Sequence, residues 1–125
     1  HAVLMPVRPT PLDYQAAAII LPLLQDVSFL RQDAPLKVFL VINGKPPGKT
    51  RLGGEAHVAA EAIFTAEGMP ITILRSEICS RQTFAEAPAV GQAVVDYAPS
   101  SKASTEIQQL AKEVLECLNQ ATAGA

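Results

Sequence analysis

An α/β fold built on a parallel sheet follows from three observations. Three apolar, β-rich runs (Val3 to Val7, Leu36 to Ile42, Ile71 to Leu74) alternate with segments whose apolar residues recur at helical spacing. The connections between them are short and rich in Pro and Gly. The longest run, Leu36 to Ile42, is apolar almost without alternation, the pattern of a central strand covered on both faces. The prediction is a single domain over residues 1–125, with a partial parallel sheet flanked by helices.

Each element has its own signal. Val3 to Val7 is a short apolar run bordered by prolines and reads as a buried strand. Thr10-Pro11-Leu12-Asp13 then opens a helix. Thr10 can cap it, Pro11 suits its first position, and Asp13 sits near the positive end of the dipole. That helix is expected to run through Ala16, Ile19, Ile20, Leu23 and Leu24, which stand at helical spacing, and to kink at Pro22. The central strand, Leu36 to Ile42, ends at Asn43-Gly44, and Lys45 to Gly54 reads as a loop. A second helix over Glu55 to Ala66 is expected to bury Val58, Ala59, Ala62 and Ile63 and to stop at Gly68. Ile71 to Leu74 is a third, short strand. Gln82 to Ala87 reads as a short helix closed by Pro88 and Gly91, and Ala93 to Tyr97 as extended chain. The last helix spans Ser101 to Asn119, with Ala103, Ile107, Leu110, Ala111, Val114 and Leu118 as its apolar stripe. Ala121 to Ala125 reads as a frayed tail. Three strands leave at least one sheet edge uncovered, so the isolated chain is expected to self-associate.

Composition narrows the function. Hydrophobic residues make up 49% of the 125, which excludes a disordered chain, while aromatics at 5% demand an aliphatic core. A net charge of -2 rules out a global basic field of the kind that gathers nucleic acid, leaving only a local patch to consider. No apolar run approaches the roughly 18 residues of a membrane span, and no signal peptide is apparent. Cys79 and Cys117 form no zinc or redox motif and read as bystander thiols. The chain opens inside a strand-like run without a Met start, so it is expected to be a fragment.

Gly44-Lys45-Pro46-Pro47-Gly48-Lys49-Thr50 imitates a phosphate loop. The true motif needs four residues between its glycines, and three stand here. Its backbone N–H groups must wrap phosphate, yet two prolines remove two of them. The stretch reads as a surface loop with Lys49 solvated. His1 and His57 form no site; His57 lies in a helical pattern without a Cys or carboxylate at metal spacing and reads as exposed and structural. No Ser, His and Asp arrangement and no carboxylate pair points to catalysis, so no catalytic residue and no metal ligand is assigned.

Five pieces in order resemble one family. Val3-Leu4-Met5-Pro6-Val7-Arg8-Pro9-Thr10-Pro11-Leu12-Asp13 is similar to the strand and turn "v-l-i-P-v-q-P-s-p-x-D", with Arg8 in place of the usual Gln. Val41-Ile42-Asn43 resembles a strand end "v-i-N", and Gly68-Met69-Pro70-Ile71 a strand start "g-l-P-v". Ile78 to Ala87 with Gly91, and Ser101-Lys102-Ala103 with the helix after it, complete the series. Together they resemble the C-terminal half of ParA/MinD-type P-loop ATPases, the ParA partitioning family, whose fold is the P-loop NTPase fold with a deviant Walker A loop.

The resemblance implies ATP with Mg2+, an ATP-dependent homodimer, slow hydrolysis and nonspecific DNA binding. It also implies a ParB-type centromere-binding partner and a cytoplasmic, nucleoid-associated bacterial protein that segregates plasmids or chromosomes. The phosphate loop and switch aspartates of such proteins are not found in this sequence, so the chain by itself is expected to be inactive and to bind no nucleotide strongly. What this half can supply is the adenine pocket. Asn43 stands at a strand's carboxyl end, where α/β sheets bind ligands, and its amide can both donate to and accept from a base edge; the bland alternative is that Asn43-Gly44 is a turn. The stretch from Ser76 to Arg81 is expected to form the other wall, through backbone groups of Cys79 and Ser80, although Cys79 stands where relatives often have Pro. Arg81 and Lys102 are the DNA-binding candidates that the resemblance implies, against simple solvation of each. Two other readings compete: an α/β interaction module without nucleotide chemistry, and a small kinase-like protein using Gly44 to Thr50.

Overall fold

A computed structural model describes residues 2–31, 36–46, 48, 55–65 and 71–123. The elements run β1 (Ala2–Val7), α1 (Pro11–Leu30), β2 (Lys37–Lys45), α2 (Ala56–Thr65), β3 (Ile71–Cys79), α3 (Thr83–Ala89), α4 (Val94–Tyr97) and α5 (Lys102–Ala123). The three strands form one parallel sheet in the order β1-β2-β3. The α/β parallel sheet read from the sequence is therefore present, with helices on both of its faces.

Both crossovers step in the same direction across the sheet, so right-handed connections place their helices on one face. Tyr14, Ala17, Leu21 and Leu24 of α1 and Ala56, Ala60 and Phe64 of α2 pack there against Met5, Val7, Val38, Leu40 and Ile42. The Tyr14 and Phe64 rings meet edge to face, with centroids 6.2 Å apart, and the Tyr14 hydroxyl donates to the Ala56 carbonyl at 3.0 Å. The opposite face belongs to α5. Phe39, Val41, Leu74 and Ile78 pack there against Ile107, Leu110, Val114, Cys117 and Leu118. The alternate residues of β2 are thus buried in two separate cores.

Thr10 starts α1 as expected. Its hydroxyl accepts from the Asp13 N–H at 3.1 Å and donates to the Asp13 carboxylate. The helix continues through Pro22 to Leu30. Of the apolar residues at helical spacing only Leu24 is buried, together with Tyr14, Ala17 and Leu21, while Ala16, Ile19, Ile20 and Leu23 are exposed. In α2 the inward residues are Ala56, Ala60 and Phe64; Ala59 and Ile63 pack at the edge of the core, and Val58 and Ala62 face outward. The expected stop at Gly68 lies outside the described residues.

Two further expectations are corrected. β3 runs nine residues to Cys79 rather than four to Leu74. Ala93 to Tyr97 is not extended, because Val94 to Tyr97 form a helical turn that buries Val94 against Ala87 and Ala103. The Tyr97 hydroxyl donates to Glu86 at 3.3 Å and ties this turn back to α3. The last helix reaches Ala123, so the expected tail from Ala121 is helical as far as Ala123, and residues 124–125 lie outside the described residues. Ala111 is exposed, and Cys117 takes a place in the stripe instead.

Phe64 is fully buried where α1, α2 and the sheet meet. Phe64→Ala should destabilise the fold by about 3–5 kcal/mol, read as a lower urea midpoint with an unchanged slope.

Candidate functional site

The carboxyl ends of β2 and β3 bring the sequence-predicted residues together. Asn43 pairs with Ile78 and Lys45 with Cys79, with Gly44 as the extra residue between them. Gly44 has φ +70, and a Cβ there would meet the Arg8 side chain at 3.5 Å. The contact is an ordinary one, so it is the left-handed backbone that favours glycine in this bulge. Asn43-Gly44 is an irregular strand end and not a free turn.

Asn43 is exposed and lines a cleft of about 460 Å³ with Leu4, Val7, Arg8, Asp13, Ala17 and Ile20 among its walls. The cleft is mostly apolar, with one cation and one amide at the strand ends and one carboxylate, Asp13, in the first turn of α1. Its walls come from β1 and α1, and neither Cys79 nor Ser80 lines it. The wall expected from Ser76 to Arg81 is thus directed elsewhere.

That stretch is held by α5. Between Leu40 and Ile42 of β2, the partner strand advances from Ile73 to Glu77, so β3 carries extra residues whose N–H groups leave the ladder. The Glu113 carboxylate accepts from Arg75 N–H at 2.7 Å and Ser76 N–H at 2.8 Å. Two helical turns earlier, Glu106 accepts from Cys79 N–H at 3.0 Å and from Arg81 Nε at 2.6 Å. Ser80 N–H donates to the Lys45 carbonyl at 2.8 Å, and Lys45 Nζ meets Glu77 at 3.1 Å. The backbone donors of Cys79 and Ser80 are therefore already engaged within the chain.

The charges follow this geometry. Burial raises the Glu113 pKa, but the Arg75 and Ser76 N–H bonds outweigh it and hold the carboxyl below its ordinary value. The Glu106 hydrogen bond raises Arg81 further above its usual range. Burial, followed by the neighbouring Glu106 carboxylate, pushes the Cys79 thiol up and away from a reactive thiolate.

The remaining candidates lie apart. Arg81 is an ion-pair partner of Glu106 and only 25% exposed in its side chain. Lys102 is exposed at the first position of α5. Ser101 caps that helix, accepting from Ser104 N–H at 3.1 Å. In the phosphate-loop imitation, Gly44 and Lys45 belong to a strand, whereas the motif must open a helix, and α2 begins only at Ala56. Lys49 and Thr50 lie outside the described residues. His57 is half-buried, with Nδ1 3.5 Å from Glu61, so it does have a carboxylate neighbour one turn away. No group of three metal-ligating side chains occurs among the described residues. None of the described helices is long and apolar enough to cross a membrane.

Sequence reasoning missed Glu106 and Glu113. Their signal was present: two carboxylates seven residues apart share one side of a helix and flank its apolar stripe. No protein-family model matches the chain, and comparison with curated proteins finds no match.

A carboxylate with a lowered folded pKa contributes stability above its ordinary value, near about 4.3, and loses it as pH falls through the folded value. Glu113→Gln should cost about 0.5–1.5 kcal/mol at neutral pH, since one of its two bonds is exposed and Gln keeps one acceptor oxygen. It should also flatten the acid limb of stability, measured by urea unfolding at a series of pH values.

Proposed function

We propose that this chain is the adenine-reading and surface-forming half of a ParA-like partitioning ATPase. The observation that carries the reading is Asn43, an exposed amide at the carboxyl end of the central strand beside a cleft. It supports the reading because an α/β sheet offers its ligands that end of its strands. An apolar cleft with an amide at its rim suits a flat base with polar edges. In the intact protein, ATP and Mg2+ would be held by a phosphate loop that this sequence does not contain. Hydrolysis, the ATP-bound homodimer and the ParB-type partner belong to that intact protein.

Within this reading Arg8 flanks the base site, since its side chain lies over Gly44 and it lines the same cleft. Lys102 is the better phosphate contact on DNA, being exposed, whereas Arg81 already neutralises Glu106.

One observation favours the alternative of an interaction module without nucleotide chemistry. The N–H groups of Cys79 and Ser80, which a base-binding wall would present, are satisfied internally.

Titration of the chain with adenosine, followed by backbone amide NMR shifts, separates the two readings. Shifts centred on Asn43, Gly44 and Arg8, abolished by Asn43→Ala, are expected for the ATPase half. Shifts absent at millimolar adenosine support the interaction module. Reading the open frame upstream of His1 is an independent check, with a strand and Lys-Gly-Gly-x-Gly-Lys-Thr/Ser expected there. In the intact, ATP-bound protein, Lys102→Ala should weaken DNA binding uniformly across sequences and lower the salt slope by about one.

A further inference from the structure

The helix α1 is apolar on two sides, and the sheet covers only one. Tyr14, Ala17, Leu21 and Leu24 face the core. On the other side Leu12, Ala16, Ile19, Leu23, Val27 and Leu30 form a second stripe whose average step matches the helical repeat of about 3.6. Leu12 and Leu30 are each 78% exposed, Ile19 77% and Leu23 63%. A surface helix normally places polar residues on that side, and a helix apolar all round is a buried one.

We propose that the outer face of α1 is a two-fold interface between two copies of this chain, with the two helices antiparallel and crossing near Leu21. Three observations on the helix select a second copy. The stripe is close to self-complementary when reversed: Leu12 falls opposite the partner copy's Leu30 and Ile19 opposite its Leu23, while the small Ala16 falls level with Asp26, one residue from the bulky Val27. A two-fold contact requires that kind of symmetry. The antiparallel arrangement also separates like charges. Parallel helices would set Asp13 against Asp13 and Asp26 against Asp26, whereas reversal places each acid opposite an uncharged stretch and opposes the helix dipoles. The area is sufficient as well. Six side chains exposing on the order of 80 Å² each give roughly 500 Å² per copy, and about 1,000 Å² in total is the lower bound of a specific interface. This contact uses no nucleotide and is distinct from the ATP-dependent dimer of the functional reading, although its Ala16 also lines the cleft beside Asn43.

The test is sedimentation of the 125-residue chain without nucleotide, together with cysteine crosslinking. The chain should dimerise in the range of tens of micromolar, and Ile19→Lys with Leu23→Lys should weaken this at least tenfold; both sites are exposed, so the monomer fold is retained. With Cys79 and Cys117 replaced by Ser, the double variant Ile19→Cys, Leu23→Cys should oxidise to a covalent dimer, whereas Ile19→Cys alone should not. A monomer at hundreds of micromolar overturns the proposal. So does efficient crosslinking of Ile19→Cys alone, which marks a parallel contact. Crosslinking through Leu4→Cys, with the lysine variants still dimeric, places the contact at the β1 edge and also overturns it.

Discussion

The Glu113 carboxylate is the contact on which the second half of the fold depends. β3 cannot keep register with β2 past Ile73, and two of its N–H groups are left without ladder partners. Glu113 accepts from both, at Arg75 and Ser76, from a helix that begins more than twenty residues later in the chain. With these donors satisfied, the strand continues to Cys79, and α5 is fixed over Phe39, Val41, Leu74 and Ile78. Without the carboxylate, the part-buried Ser76 N–H would be left unmet beside an apolar core, a costly state, while the exposed Arg75 N–H would turn to water.

Glu106 repeats the device two turns away and sets the chemistry of the strand ends. Its two oxygens take Cys79 N–H and Arg81 Nε, so a thiol, a cation and a backbone donor that looked available are joined in one internal network. The network directs the end of β3 toward α5. The open cleft lies on the other side of β2, between β1 and α1, where Asn43 and Arg8 remain accessible. The two ends of the same sheet margin therefore differ: the β3 side is tied down, and the β1 side is an open cleft.

The α1 helix shows the same economy from outside. Its inward face is Tyr14, Ala17, Leu21 and Leu24, and Phe64 meets the Tyr14 ring between α1 and α2. Equally large aliphatic residues, Ile19, Leu23 and Leu30, point outward. Apolar content alone could not separate the two faces, since both have helical spacing.

The sequence by itself determined the order of the three strands and of every helix but α4, the parallel sheet, the Thr10 cap of α1 and the two-sided burial of β2. These follow from local periodicity and capping, which neighbouring residues encode. It also placed Asn43 at a strand's carboxyl end. Only the tertiary structure decided that β3 continues through the polar Arg75-Ser76-Glu77, because the partners that make this stretch extended, Glu113 and Lys45, lie far away in sequence. It decided likewise that Val94 to Tyr97 coil against α3 and α5, despite β-branched residues that favour a strand, since burying Val94 there outweighs a weak propensity. Which side of α1 faces the sheet, and whether Cys79, Ser80 and Arg81 are free or engaged, are also questions of long-range packing. Local pattern carries no information about which distant carboxylate will arrive.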